Sequence, residues 1–372
     1  EGDVISLDGS TGKIYDGEVA TIPASISGNF KVIMDWCKDI KKIGVRANAD
    51  TPSDVHNAIS FGAEGVGLVR TEHMFFKSEK ILPMREMIVA RNKQERQVAL
   101  DKLLVLQRED FEGIYKELHV LPATIRLIDP PLHEFVPKSE EKRAELASEL
   151  GISVDEVDKR GENLHEVNPM MGHRGVRLHV TYPLIAETQH RAIFTATAEL
   201  QKEGLHPMPE IMIPVTVSAR ELEFQKAHCE KIRHEVEGLT GQTIHYNFGT
   251  MIEIPRAALT ADRMARTAEF FSFGTNDLTQ MTFGFSRDDV GTFMGDYLGN
   301  KILDADPFQT IDVKGVGRLV EHGITAGRSK RPELMCGVCG EHGGDPDSIA
   351  FFNKIGLDYV SCSPYRVPIA RL

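Results

Sequence analysis

The sequence is short of several things, and each shortage excludes a class of protein. No run of about 18 consecutive apolar residues occurs, so no membrane-spanning helix and no membrane partner are expected. Tryptophan occurs once, as Trp36, and cysteine five times in 372 residues. Cys37, Cys229, Cys336, Cys339 and Cys362 are too few, and odd in number, for a disulfide framework. A reducing compartment, cytoplasmic or an organelle matrix, is the expectation. Positive charge is in deficit, 43 Lys and Arg against 55 Asp and Glu, for a net charge of −12. With no basic tract, nucleic acid is not expected as a partner. An anionic small molecule stays open, because a few arginines in a cleft set the local field. Low-complexity tracts, internal repeats and a GxGxxG turn are all lacking. Hydrophobic residues make up 41% of the chain, which excludes disorder and suffices for a large core. The chain opens on Glu1 with no charged-then-apolar leader, so it is expected to be a piece of a longer protein. Its last three residues, Ala370-Arg371-Leu372, loosely resemble a peroxisomal address, although a boundary cut from a longer chain is the preferred reading.

What is present divides into three parts. Residues 1–23 alternate short strands with Asp-Gly and Ser-Thr-Gly turns and are too short to fold alone; Pro23 ends them. They read as the tail of a preceding β-rich domain. Residues 24–42 form a linker, helical over 29–42, with Phe30, Ile33, Met34 and Cys37 on one face. From residue 43 to 372 short apolar, β-branched runs alternate with longer amphipathic stretches. Eight such runs begin at Ile43, Gly65, Thr124, Glu210, Gly249, Phe270, Leu334 and Tyr359. Near-continuous apolar strands between helices imply a parallel sheet buried on both faces. Eight units predict an α/β (β/α)8 TIM barrel rather than an open doubly wound sheet. Two charged stretches, 78–119 and 138–165, predict helical insertions, the second with Ser153-Val-Asp-Glu156 as a capping box. They are read as solvated helices, or as a surface that meets a moving neighbour.

The C-terminal ends of barrel strands form one mouth, where active sites lie. Arg70, Arg126, Asp129, Glu253, Asn276, Asp277 and Cys339 all fall there. Charges inside apolar runs are costly unless paired or bound to a ligand. Glu253 and Asp277, from consecutive strands, suit Mg²⁺, which takes one or two protein carboxylates plus waters and substrate oxygens. No pair of histidines has zinc-ligand spacing on a helix. Arg70 and Arg126 are fixed charged forks suited to a phosphoryl group. Gly274-Thr-Asn-Asp277 predicts a strand-to-helix turn whose N–H groups could meet a carboxylate. Together these describe a Mg²⁺ site for a small phosphorylated acid. Cys336-Gly-Val-Cys339 could be a redox pair or half a zinc site. Its spacing of three within a strand puts the sulfurs on opposite faces, which weighs against both and leaves Cys339 toward the mouth as a possible proton donor. Cys229 and Cys362 read as packed thiols, and His73, His133, His173 and His342 as structural or supporting histidines.

Glu269-Phe-Phe-Ser-Phe-Gly-Thr-Asn-Asp-Leu-Thr-Gln280 resembles the signature of the phosphoenolpyruvate-utilising enzymes. Gly67-Leu-Val-Arg-Thr-Glu-His-Met-Phe75, Asp129-Pro-Pro-Leu-His-Glu-Phe135, Met170-Met-Gly-His-Arg-Gly175, Met251-Ile-Glu-Ile-Pro-Arg256, Cys339-Gly-Glu-His-Gly-Gly-Asp-Pro346 and Tyr359-Val-Ser-Cys-Ser-Pro364 narrow the resemblance to its pyruvate, phosphate dikinase branch. The resemblance runs from residue 1 to 372. It implies the phosphoenolpyruvate/pyruvate barrel of that superfamily, preceded at 1–23 by the end of a swivelling phosphohistidine domain. It implies the reaction ATP + pyruvate + phosphate ⇌ AMP + phosphoenolpyruvate + diphosphate, of which this chain would perform the pyruvate half. Arg70 and Arg126 would bind the phosphoryl group, and Glu253 and Asp277 would hold Mg²⁺ and touch the substrate. Gly274, Thr275 and Asn276 would bind the substrate carboxylate and neighbouring oxygens. Cys339 would be the proton donor, with Arg174 and Tyr359 in support. The phosphohistidine and ATP-grasp domains would be partners in the same full-length chain, and a homodimer is implied. Phosphoenolpyruvate synthase and the phosphoenolpyruvate–protein phosphotransferase are the neighbouring enzymatic readings, and a dimerisation module the non-enzymatic one.

Overall fold

The computed structural model describes residues 2–8, 11–21, 25–76, 78–137 and 139–372. Pro23, the expected end of the first part, lies outside the described residues. Ile5–Asp8 (β1) and Lys13–Asp16 (β2) form an antiparallel hairpin whose Val4, Leu7 and Ile14 stay exposed, so it has no core of its own. The helix Gly28–Ile40 (α1) follows. Of its expected apolar stripe only Met34 is buried, while Phe30 and Ile33 are exposed. The helix leans on the last helix of the chain, and that narrow contact covers one residue of the stripe.

The eight apolar runs are eight parallel strands. They are Gly44–Asn48 (β3), Val66–Arg70 (β4), Pro122–Arg126 (β5), Met208–Ile213 (β6), Asn247–Ile252 (β7), Phe270–Phe273 (β8), Met335–Val338 (β9) and Tyr359–Cys362 (β10). Each pairs with the next and β10 returns to β3, which closes the barrel. Around it lie α2 (Pro52–Ser60), α3 (Ser78–Val89), α4 (Lys93–Leu118), α5 (Glu140–Leu150), α6 (Val154–Leu164), α7 (Val176–Thr181), α8 (Pro183–Lys202) and α9 (Ala219–Thr240). The circuit continues with α10 (Pro255–Leu259), α11 (Ala261–Met264), α12 (Thr275–Phe283), α13 (Met294–Gly299), α14 (Val316–Arg328), α15 (Pro346–Lys354) and α16 (Val367–Arg371). The charged stretches are helical as expected, α3–α4 and α5–α6, but α4 is not a solvated helix: it buries Leu100, Leu103, Phe111, Ile114 and Tyr115 and packs against α2 and α8. Helix starts follow their capping chemistry. Thr51 with Asp54, and Ser218 with Glu221, form reciprocal capping boxes at α2 and α9. At α6 only half of the box forms: Ser153 Oγ accepts from the Glu156 N–H at 3.2 Å, while the Glu156 carboxylate turns to Arg160.

Strand parity sorts the core into two layers. Val45, Ile125, Ile211, Phe271, Cys336 and Val360 point outward into one continuous cluster with the helices. Residues of opposite parity meet inside. Arg46 Nη1 donates to Glu210 Oε2 at 2.6 Å, Thr124 Oγ1 donates to the same oxygen at 2.7 Å, and the Arg46 guanidinium lies 4.1 Å from the centre of the Tyr359 ring. These side chains come from β3, β5, β6 and β10, and can converge only in the barrel interior. The Tyr359 ring covers Gly337, where a Cβ would fall 2.1 Å from the ring. An apolar interior cluster is formed by Leu68, Met212, Met251, Phe270 and Cys339. In β4 the register shifts between Val66 and Val69, so Gly67 and Leu68 both face inward and Arg70 is re-aimed toward the mouth.

Candidate active site

Each expected site residue sits at or just past the C-terminal end of a barrel strand. Arg70 and Arg126 are the last residues of β4 and β5, directly paired in register. Glu253 follows β7, Gly274 to Asp277 link β8 to α12, and Cys339 follows β9. The arrangement is held by a network that the sequence did not foretell in detail. Asp129 is its hub: Oδ1 and Oδ2 accept from Arg174 Nε and Nη2 at 3.0 and 2.6 Å, and Oδ2 lies 3.1 Å from Arg126 Nη1. Arg126 also pairs with Glu72. Burial works to raise the Asp129 carboxyl, but Arg126 and Arg174 outweigh it and hold the group below its usual range. Arg126 and Arg174 are in turn held above theirs by Glu72, Asp129, Asp277 and Glu253, against burial that lowers both. Both guanidiniums therefore remain charged though buried. Arg70 is freer: its side chain reaches Asp50 only at 3.8 Å, while its backbone N–H donates to Asp50 Oδ1 at 2.7 Å. Asp50 Oδ2 also meets His73 Nδ1 at 2.7 Å.

Glu253 is buried with its Oε1 accepting from the Val215 N–H at 2.6 Å. Val215 has φ 58, a left-handed conformation costly for a β-branched residue, and that strain aims its N–H at the carboxylate. A Cβ on Gly274 would lie 2.8 Å from Glu253 Oε2, so glycine is what lets the β8–α12 turn approach the carboxylate. Asp277 Oδ2 lies 3.0 Å from Arg174 Nη2, an ion pair, yet among the described residues no donor is aligned on it as a hydrogen bond. Burial, then Asp277, then Asp129 push the Glu253 carboxyl up to about 8. Burial and Asp129 likewise raise Asp277 against the pull of Arg174. Two buried carboxyls, both raised and both facing Asp129, one with an unaligned oxygen, make a pair that a cation would relieve. Among the described residues no group of three or more His, Cys, Asp or Glu side chains is placed to enclose a metal.

The α12 start is braced by the turn after β9. Asn276 Oδ1 accepts from the Glu341 N–H at 2.9 Å. A Cβ on Gly340 would meet Thr275 Oγ1 at 2.2 Å and the Thr275 and Asn276 nitrogens at 3.0 and 3.1 Å. Asn48 Nδ2 donates to the Cys339 carbonyl at 3.1 Å, and Asn48 Oδ1 accepts from Ser361 at 2.6 Å, which fixes the cysteine's backbone. The Cys339 thiol is buried among Leu68, Met212 and Met251, and burial pushes it up to about 11, so it keeps its proton at neutral pH. Cys336 lies on the opposite face in the outer core, as strand parity predicted, and all five cysteines are free. Tyr359 sits deeper, against Arg46, whereas Arg174 joins the site itself. Among the residues not anticipated, Asn48 and Glu72 carried a signal, a polar group in or beside an apolar run. Val215 carried none. A cavity of about 780 Å³ is lined by His133, Met170, Met171, Gln280 and Phe285, and the Met170 carbonyl accepts from Arg174 Nη1.

Residues 25–372 match the model of the family described as PEP-utilising enzyme, PEP-binding domain. Pyruvate, phosphate dikinase of Clostridium symbiosum is 55% identical over 373 residues, covering 100% of this chain and 43% of that protein. The chloroplastic pyruvate, phosphate dikinase of Mesembryanthemum crystallinum is 53% identical over 375 residues, with 100% and 40% covered. That of Rhizobium meliloti is 52% identical over 373 residues, with 100% and 42% covered. The chain thus spans about two fifths of the length of these relatives. On the family match and the closed eight-stranded barrel, the chain belongs to the PEP-utilising enzymes, by way of their PEP-binding domain.

Proposed function

We propose that this chain is the phosphoenolpyruvate/pyruvate part of a pyruvate, phosphate dikinase. One observation carries the reading: Arg70, Arg126 and Arg174, the raised carboxyls of Glu253 and Asp277 and a protonated thiol converge at one barrel mouth. Arg70 and Arg126 bind the phosphoryl group, and Gly274, Thr275 and Asn276 take the substrate carboxylate at the start of α12. Glu253 and Asp277 would hold Mg²⁺, which when bound supplies positive charge to the carbonyl and carboxylate oxygens of pyruvate.

The residues then divide the work. Toward phosphoenolpyruvate, the Cys339 thiolate removes a proton from the pyruvate methyl. The pyruvate oxygen accepts a phosphoryl group as the phosphorus–nitrogen bond to a histidine on another domain breaks. In the opposite direction the oxygen–phosphorus bond breaks, histidine takes the phosphoryl group, and the Cys339 thiol protonates the methylene carbon. A thiol held near 11 suits the donor role. Arg126 and Arg174, fixed by Asp129, need no reorganisation to meet the transferred charge. The phosphohistidine and ATP-grasp domains belong, on this reading, to the same full-length chain, residues 1–23 to the former, and the protein is a homodimer. The cavity lined by Met170 and Phe285 gives the incoming histidine an approach.

Calorimetric titration of the chain with phosphoenolpyruvate tests this. Trp36 is a poor reporter, being exposed on α1. Binding is expected with Mg²⁺, and loss of it with EDTA, in Arg70→Ala and in Glu253→Gln. Binding that ignores all three changes refutes the assignment.

A further inference from the structure

The buried histidine of the turn after β9 has no part in the chemistry above, yet it touches the substrate-carboxylate turn. His342 is fully buried. Its Nε2 lies 2.8 Å from the Pro307 carbonyl oxygen and its Nδ1 lies 2.7 Å from Thr275 Oγ1. A carbonyl only accepts, so Nε2 carries the hydrogen. Burial lowers the affinity of the ring for a second proton, which leaves Nδ1 with a lone pair. The Thr275 hydroxyl therefore donates to His342, and its single hydrogen is committed there. Thr275 is left with only its backbone N–H to offer a ligand.

We infer that His342 is a positioning residue that locks the Thr275 side chain and the first turn of α12, so that this turn presents main-chain N–H groups to the substrate carboxylate. The inference rests on the proposed function for the identity of that ligand. The same ring ties three segments together: the turn carrying Cys339, the start of α12 and the loop at Pro307.

Asparagine and glutamine dissect the two contacts. In His342→Asn the amide oxygen takes the place of Nδ1 and still accepts from Thr275, while the bond to Pro307 is lost. In His342→Gln the amide nitrogen reaches Pro307 and the acceptor for Thr275 is lost. Titration of the chain with phosphoenolpyruvate and Mg²⁺ is expected to give His342→Asn within about threefold of the parent Kd and His342→Gln about tenfold weaker. Hydrogen exchange without ligand is expected to quicken at residues 278–280, whose N–H groups close the first turn of α12, in His342→Gln and not in His342→Asn. Thr275→Val, which keeps the shape and removes the hydroxyl, should reproduce His342→Gln, and Thr275→Ser should not; this pair stands in if His342→Gln fails to fold. Equal weakening by asparagine and glutamine, or unchanged exchange at 278–280 in both His342→Gln and Thr275→Val, overturns the inference. Faster exchange in a parent chain background that does not bind phosphoenolpyruvate would uphold the positioning and refute the functional reading.

Discussion

Acid should unfold this protein through two histidines behind the barrel. His179 on α7 and His190 on α8 are both fully buried. Burial lowers His179 to about 4, with the Ile128 backbone and Asp129 opposing it. Burial, then His179 and His228, lower His190 to about 3. In the unfolded chain each returns to about 6.5. The unfolded state thus binds more protons between those values, and stability falls as pH falls from about 7 toward about 4. From pH 7.5 to pH 5 each histidine removes about 2 kcal/mol, about 4 kcal/mol for the pair, a large share of the stability of an ordinary domain. His190→Phe isolates half of this, because an aromatic ring there keeps the stack on Phe194. Urea unfolding followed by circular dichroism at both pH values should show the loss reduced by about 2 kcal/mol in His190→Phe. An identical loss in parent and variant would mean that His190 is not held neutral by burial.

Three other perturbations read different layers. Removing one partner of the interior Arg46–Glu210 pair, as in Glu210→Leu, should cost about 3–5 kcal/mol in urea unfolding, and adding Arg46→Met should recover most of it. Gly340→Ala forces a Cβ to within 2.2 Å of Thr275 Oγ1; it should weaken phosphoenolpyruvate binding about tenfold by calorimetry and cost about 1–3 kcal/mol of stability. Cys339→Ala should slow Mg²⁺-dependent exchange of the pyruvate methyl protons into D₂O about 100-fold or more by proton NMR, with phosphoenolpyruvate affinity unchanged.

The strands were legible because parallel strands covered on both faces must be apolar almost throughout, which a run such as Phe270–Phe273 displays. Parity likewise separated Cys336 from Cys339. The charges at the mouth were legible as charges, since Arg126 and Glu253 interrupt or follow apolar runs. Their pairing was not: that Asp129 serves both Arg126 and Arg174 depends on contacts across 45 residues of chain. The shift in β4 and the left-handed Val215 leave no trace in residue type, because each is imposed by neighbours. The stripe on α1 shows the reverse failure. Its period of apolar residues is real, but a period states which face is apolar and not what covers it.

On the proposed function, substrate and cation share one end of the barrel. Diffraction from the chain crystallised with phosphoenolpyruvate and Mn²⁺, read by the anomalous signal of manganese, tests it most directly. The metal is expected at bonding distance from both Glu253 and Asp277, the phosphoryl group between Arg70 and Arg126, and the methylene carbon facing Cys339 Sγ. A metal bound away from these carboxylates, or a ligand lodged instead in the cavity beside Phe285, would contradict it.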